Sequence, residues 1–442
     1  MGKKIAFSFL LALLSFSGFT QNQKSLIDYD RETYQLFLAE QWKELIDRGQ
    51  KALDENVDFF YLRMRMGLAY YNLQNYELAR LYFLGALEFV SGNHDATFYL
   101  YYSNLLSGRV GEARSLLSNM SDEIRNVIGA AGKYSISHLS AETGNFTNQS
   151  YEEMRTQLPE GDYVSSYFLK NMNFNSISGG INIGYSSNLM ISVNRYDFQN
   201  TQVVSSYGEL SEFEHNNSQN GFYLRYLYSM PDSWYGGFSF HTIKGNFNVN
   251  YYVEQPQGDY DFEDILENYQ HTYYGAYFGK HFKYGDLSMS LSENNFWQGA
   301  YYQLGSNLYA YPFGNTKYFL GAGYHLIFPQ EKQGGRESVY KVVAGVTIFK
   351  GLLLEGNYIK GNLSNWADIG GLYLFNTRLP VLSRAGLSLI YSGIGNKLQL
   401  SLSAFSQNRI HEADIFYLDG SIESIESNFI TNSIFGGLTW IF

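Results

Sequence analysis

Ile434-Phe435-Gly436-Gly437-Leu438-Thr439-Trp440-Ile441-Phe442 ends the chain. Leu438, Trp440 and Phe442 occupy every second position, so in an extended strand they share one face. The same period of two recurs upstream. In Lys397 to Phe405, Leu398, Leu400, Leu402 and Ala404 alternate with Gln399, Ser401 and Ser403. Segment 352–359 sets Glu355 and Asn357 opposite Leu352, Leu354 and Tyr358. Segment 222–228 sets Arg225 opposite Phe222, Leu224, Tyr226 and Tyr228, and in 246–251 Asn246, Asn248 and Asn250 alternate with Phe247, Val249 and Tyr251. Apolar-out and polar-in strands of about ten residues, repeated many times, are the pattern of a closed barrel in lipid. A soluble sandwich buries its apolar faces and has less use for aromatic rings near strand ends.

Composition agrees. Of 442 residues 18% are aromatic (Tyr 40, Phe 33, Trp 5) and 17% charged, with Gly 43, Pro 6 and Cys 0. The absence of Cys excludes a disulfide framework, thiolate metal sites, a cysteine nucleophile and a lipoprotein anchor. A net charge of -11 argues against a general nucleic-acid binder. Lys3 and Lys4 followed by the short apolar run Ile5 to Gly18, with Gly18-Phe19-Thr20 as a cleavage site, read as a secretory signal over 1–20. No later stretch reaches the ~18 apolar residues of a spanning helix, so any membrane span is a barrel.

The period-two segments number fourteen: 175–186, 189–204, 218–230, 234–252, 269–284, 286–298, 300–313, 316–330, 338–350, 352–364, 366–378, 383–394, 397–409 and 429–442. Gly314-Asn315 and Gly395-Asn396 are suited to tight turns. Stretches 134–144 and 163–173 are candidates for further strands, giving a range of twelve to sixteen. Long connections at 205–217, 253–268 and 410–428 are expected on the outer side. Counted back from Phe442, however, the first two fall on the inner side. At least one segment in the list is therefore miscounted.

Residues 21–127 show a different period. Gly67, Tyr70, Tyr76, Ala79, Phe83 and Ala86 recur in part at a spacing of 34: Trp42, Leu45, Gly49 and Ala52 lie 34 before the second-helix positions, and Val110, Ala113, Leu117 and Met120 lie 34 after them. Gly108 lies 34 after Gln74. A 34-residue repeat predicts stacked helical hairpins, with small residues where helices approach closely. Such an array has a concave groove, for which Tyr61, Met64, Leu68, Tyr71 and Asn72 are candidates, with Phe98 and Tyr102 at the equivalent positions of the next repeat. These residues either form an aromatic platform for a peptide or sugar polymer, or pack between repeats.

The predicted class is α+β multidomain: a signal peptide (1–20), an α-helical array (21–127), a connector with possible first strands (128–174) and an antiparallel transmembrane β-barrel (175–442). The sequence contains no nucleophile elbow, phosphate loop, His-Glu-x-x-His or dinucleotide fingerprint. Neither enzymatic activity nor a cofactor is expected. The eight His are scattered. Arg225, His241, Glu355 and Asn357 are candidate lumen residues. Asp259, Asp261 and Glu263 form a weak calcium candidate at alternate positions in an acidic stretch, without the glycine and terminal Glu of a calcium loop. With the acidic 410–428 stretch, they would favour cations or neutral solutes at a lumen entrance.

The terminal Leu438, Trp440 and Phe442 resemble the last strand of bacterial outer-membrane proteins, the signal read by the barrel assembly machinery. Together the 34-residue repeat, the strand alternation and Phe442 resemble the YaiO-like outer-membrane proteins with N-terminal tetratricopeptide repeats found in Bacteroidota, and more distantly the large exopolysaccharide exporters. The resemblance implies an outer-membrane barrel with its repeats in the periplasm. It further implies polymer export (polysaccharide or protein), or alternatively an anchor that recruits a secretion or assembly partner to the repeat groove. It carries no catalytic residue.

Overall fold

The computed structural model describes residues 25–129, 134–156, 158–161, 163–206, 209–254, 260–297, 299–330, 335–377, 380–394, 397–417 and 421–442. The proposed signal segment lies outside these. The chain divides into two units, one ending at Ser107 and one beginning at Gly108.

The first unit contains α1 (Leu26–Leu38), α2 (Trp42–Asp54), α3 (Phe60–Asn72), α4 (Tyr76–Phe89) and α5 (His94–Leu106). Ser25 opens α1 with a capping box to Asp28, and the Asn75 and Asn93 side chains cap α4 and α5. The spacing of 34 is visible in the backbone. Helices α1, α3 and α5 begin at 26, 60 and 94, while α2, α4 and the later α6 (Val110–Leu116) begin at 42, 76 and 110. The left-handed turn residues Glu40, Gln74 and Gly108 keep the same step. Close helix approach explains the small residues: a Cβ at Gly67 would sit 2.6 Å from Phe83 Cε1, and one at Gly49 2.5 Å from Met66 Sδ. Ala52, Ala79 and Ala86 are fully buried.

The second unit begins with α6 and α7 (Asp122–Ile128), followed by fourteen antiparallel strands. These are β1 (Tyr134–Asn148), β2 (Tyr163–Ile183), β3 (Ser187–Ser206), β4 (Glu209–Ser229), β5 (Trp234–Glu254), β6 (Tyr260–Phe282) and β7 (Gly285–Phe296). The rest are β8 (Gly299–Ala310), β9 (Tyr318–Pro329), β10 (Glu337–Phe349), β11 (Leu352–Lys360), β12 (Val381–Ile394), β13 (Leu398–Phe416) and β14 (Ile422–Ile441). A short helix, α8 (Tyr151–Thr156), lies between β1 and β2. Each strand pairs with its sequence neighbours, and β14 closes on β1, with Leu438 opposite Ala141 and Trp440 opposite Leu139. The sheet has no free edge along this seam. Helix α6 sits at the terminal end of the barrel: Arg109, just before it, donates to Ser233 Oγ and the Phe282 carbonyl, and Arg114 donates to the Gly184 carbonyl.

Strand β7 shows the wall in its plainest form. Asp286, Ser288, Ser290, Ser292 and Asn294 are buried inward, while Leu287, Met289 and Leu291 are exposed outward. On β10 the exposed outer side runs from Tyr340 through Val342 and Ile348 to Phe349. At about 3.3 Å per residue this is about 30 Å of tilted strand, enough for the ~25 Å apolar band of a lipid-facing wall. Exposed Trp234, Tyr318, Phe349 and Trp440 mark its terminal end, and Tyr324 and Tyr340, ring centroids 5.1 Å apart, mark the other.

The strand number agrees with fourteen, but two assignments change. The described part of segment 366–378, up to 377, is not a wall strand, and the connector contributes β1 and the first part of β2, so the barrel starts at Tyr134 rather than at 175. Removing 366–378 from the count resolves the side conflict: the β3–β4, β5–β6 and β13–β14 hairpins now turn at the end opposite the chain terminus. The three expected long connections are mostly strand. Residues 210–217 belong to β4, β6 begins at Tyr260, and 410–416 and 422–428 form the tips of β13 and β14. There Ala413–Phe416 pair with Tyr163–Ser166 of β2, on the edge that β12 leaves free beyond Arg409.

Candidate functional site: the lumen and its inserted segment

Residues 361–377, between β11 and β12, turn into the barrel instead of extending the wall. Gly361, at φ +138°, ends β11, and the Asn362 side chain accepts from the amide and hydroxyl of Ser364. Trp366 and Phe375 then pair through their backbones, and the tip turns through Gly370 and Gly371 at φ +88° and +67°. Trp366 is 1% exposed and packs with Leu363 and Phe375 against Ile327, Val339, Ile359 and Val381 of the wall.

Inward polar side chains satisfy the backbone of the insert. Gln303 of β8 bonds both ways with Ala367, its Nε2 donating to the carbonyl at 2.6 Å and its Oε1 accepting from the amide at 3.0 Å. Asn294 of β7 donates to the Asn365 carbonyl, and the Tyr223 hydroxyl of β4 to the Gly370 carbonyl at 2.7 Å. His241 Nδ1 of β5 lies 3.1 Å from the Gly371 carbonyl, so that nitrogen carries the proton. Lys341 of β10 pairs with Asp368 at 2.8 Å, both largely buried. Burial pushes the Asp368 carboxyl upward. The Lys341 charge and hydrogen bond, the His325 ring and the Ile369 amide outweigh that and hold it below the ordinary carboxylate range.

Between this insert and the inner wall, chiefly β1–β3 and β12–β14 with contributions from β4–β6, β8, β10 and β11, lies a cavity of about 870 Å³. Its rings include Phe174, Tyr196, Tyr373, Phe405 and Phe435, and its polar groups include Asn194, Ser401 and Gln407. The Arg384 guanidinium lies over the Phe405 ring, 3.7 Å from its centroid. The volume falls within the ~300–1,000 Å³ of ligand-sized sites. A lining of flat rings with amides and hydroxyls suits a molecule that has both apolar faces and polar edges.

Of the lumen candidates, His241, Glu355 and Asn357 line this cavity, while a Cβ at Gly370 would meet Arg225 Cδ at 4.0 Å. The insert's anchors Gln303, Lys341, Trp366 and Asp368 escaped the sequence reading. The signals available were the Gly370-Gly371 pair, the turn residues Asn362 to Asn365 and the side conflict in the strand count.

The groove candidates separate by exposure. Tyr61 is 62% exposed, with Arg65 over its ring, and Asn72 is exposed and bonded to the Leu68 carbonyl. Met64 is buried, and Leu68 is half-buried. Tyr71 stacks edge-on with Tyr76 and Tyr99, and burial pushes its phenol up to about 12. Half-buried Phe98 and Tyr102 face each other with ring centroids 4.9 Å apart. Asp259 lies outside the described residues. Asp261 and Glu263 lie on β6 opposite Val253 and Tyr251, in a strand rather than a loop. Among the described residues no group of three or more acidic or His side chains gathers at metal-binding distance.

No protein-family model and no curated protein matches the chain. Among solved structures it is similar to the toluene transporter TodX of P. putida (8% identity, TM-score 0.44, covering 71% of this chain and 91% of that one). It is also similar to a FadL homologue of Pseudomonas aeruginosa (9%, 0.41, 69% and 90%). A tetratricopeptide-containing domain of a putative FK506-binding protein of Plasmodium falciparum overlaps 26% of this chain and 85% of its own (17%, 0.22).

Proposed function

We propose that this protein is an outer-membrane conduit that passes a polymer, polysaccharide or protein, outward, with segment 361–377 as the gate across its lumen. The outward Leu, Met, Val and aromatic side chains of β7 and β10 support a wall facing hydrocarbon, and their ring-bearing ends support the two interfaces. One observation carries the gating reading. The lumen is narrowed by one contiguous insert, held by polar bonds from several strands, one ion pair and the Trp366 cluster. Withdrawing that insert would widen the passage without altering the wall. The helical array, with its step of 34, is read as a periplasmic tetratricopeptide module of the YaiO-like kind that recruits the partner or cargo. Residues 1–20 are read as its export signal, and Leu438, Trp440 and Phe442 as the signal to the barrel assembly machinery. The protein acts as a conduit and not as an enzyme.

Planar-bilayer recording tests this. The wild type is expected to stay closed or pass small currents, and a variant with 362–377 replaced by a short Gly-Ser turn to give large, stable steps. If that variant keeps the heat-modifiable migration of a folded barrel and still passes no current, the conduit reading fails. The remaining reading would be a filled anchor for the helical array, which the multi-strand pinning of the insert favours.

A further inference from the structure

Arg409, on β13, lines the cavity and is only 8% exposed. Its Nε has no hydrogen-bond partner, and among the described residues no carboxylate pairs with its guanidinium. A second guanidinium lies nearby. Arg384 of β12 is directly opposite Gln407, so Arg409 is its diagonal neighbour on the same inner face. Such diagonals lie about 7–8 Å apart, within reach of long side chains. Arg384 makes no ion pair either; it lies flat on Phe405, and its Nε is also without a partner. A buried guanidinium and a half-buried one, neither in contact with a carboxylate, in a cavity large enough for a ligand, are costly unless something completes them.

The carboxylates lining the same cavity are accounted for. Asp368 is paired with Lys341. Glu355 is opposite Ser388 and hence level with Ser403, six positions along β13 from Arg409. Glu142 is opposite Gly437 and level with Ser401, eight positions from Arg409; its field, like that of Asp368, reaches Arg384 without an ion-pair contact. Glu412 and Asp414, beyond Arg409, take the opposite phase of the strand, and Asp414 accepts from Ser424. The stretch around Arg384 and Arg409 is thus cationic, with Phe405 and Phe429 beside it in the lining and Gln407 between.

We propose that this cavity binds an acidic saccharide unit. One carboxylate is held by Arg409 with Arg384, and the ring lies against the aromatic wall. Guanidinium and carboxylate match as a two-pronged pair, and Asn, Gln and Ser side chains suit hydroxyls. The proposal deepens the conduit reading, which supplies the choice of a saccharide; the anion site itself stands on Arg409 and Arg384.

The test uses the full chain in detergent micelles, with quenching of tryptophan emission as the readout, because Trp297 and Trp366 line the cavity. The probes are a galacturonic acid trisaccharide and its neutral galactose counterpart. The acidic probe is expected to bind more tightly, and to weaken as sodium chloride rises while the neutral one does not. In Arg409→Gln the acidic probe should lose about tenfold or more in affinity, with the neutral probe unchanged. Arg384→Gln is the second variant, and the salt series on the wild type stands if neither folds. Equal affinity for the two probes, no binding of the acidic one, or salt-independent binding overturns the proposal. Acid-selective binding by a barrel that never conducts would reject the conduit and keep the site. Conduction without acid selectivity would do the reverse.

Discussion

Strand β7 and segment 361–377 both present alternating side chains, yet one is wall and the other lies inside it. In β7 every second residue from Asp286 to Asn294 is small or polar and inward, and nothing in Gly285–Phe296 breaks the extended backbone. In the insert Leu372 and Leu374 alternate with Tyr373 and Phe375, and the same rule of two suggests a strand. The difference lies in the backbone. Gly361, Gly370 and Gly371 are in left-handed conformations that a wall strand does not use. The two regions also depend on each other: Asn294 at the end of β7 bonds to Asn365 in the insert. The polar interior of this wall serves to satisfy a folded segment, not only to line water.

The largest expected effect is on the wall. Cutting the chain after Ile430 removes the residues of β14 that pair with β1, from Thr431 opposite Asn148 to Ile441 opposite His138. The seam then has no partner and the backbone groups along β1 are left unsatisfied, which a barrel wall facing lipid would not tolerate. The truncated chain is expected not to assemble. Wild-type heat-modifiable migration on gels would mean that the seam does not close the barrel.

Next is the insert's ion pair. Lys341→Met leaves Asp368 buried without its cation, which typically costs about 3–5 kcal/mol. The cost falls on the inserted state, so the open fraction in bilayers should rise by about a hundredfold or more. Lys341→Met with Asp368→Asn should recover much of the closure. The pH dependence has a definite sign. Asp368 is held below the ordinary carboxylate range, so its contribution is complete above an unfolded value of about 4 and is lost as pH falls through its lower folded value. Closure should persist at neutral and mildly acid pH and fail below. Openings that increase on raising the pH from neutral would contradict the pairing.

A smaller effect returns to the wall. Leu291 is 55% exposed on the outer side of β7, flanked by inward Ser290 and Ser292. If that side faces hydrocarbon, Leu291→Arg should lower the stability of the vesicle-inserted barrel by about 2–4 kcal/mol, most when the site is near the bilayer midplane. Urea titrations showing no change would place Leu291 away from lipid.

These tests track what was legible. The alternation at Lys397 to Phe405 and at 222–228 identified wall strands because each has one exposed apolar face and one face toward the lumen. The step of 34 was legible because helix contacts need a small residue at fixed places, as Gly67 against Phe83 demonstrates. The 134–148 and 163–173 strands were only partly legible because their pattern inverts: Phe146, Leu169 and Met172 face inward, while Asn145, Asn171 and Asn173 are on the outer side. The insert was misread because packing against the wall on one side and lining the cavity on the other gave Trp366 to Phe375 the same hydrophobic content as a wall strand. The side conflict among the loops already pointed to an error of one segment, and Gly370-Gly371 was its local mark. Arg409 could not be singled out, because the lack of a partner is a property of the fold.

The smallest effect sharpens the backbone argument. Gly370 and Gly371 are both left-handed, but their surroundings differ. A Cβ at Gly370 would find its nearest neighbours, Tyr223 Oη and Arg225 Cδ, at 3.8 and 4.0 Å, an ordinary contact. A Cβ at Gly371 would overlap the Tyr273 ring. Gly370→Ala therefore carries only the conformational cost, about 1 kcal/mol, and the lumen should stay closed with at most a few-fold more openings. Gly371→Ala meets the same backbone cost and must also displace Tyr273, fully buried on β6. It should open the lumen far more often than its neighbour. If the two variants behave alike in bilayers, the tip of the insert does not sit against β6, and its role as a fitted gate fails while the barrel wall stands.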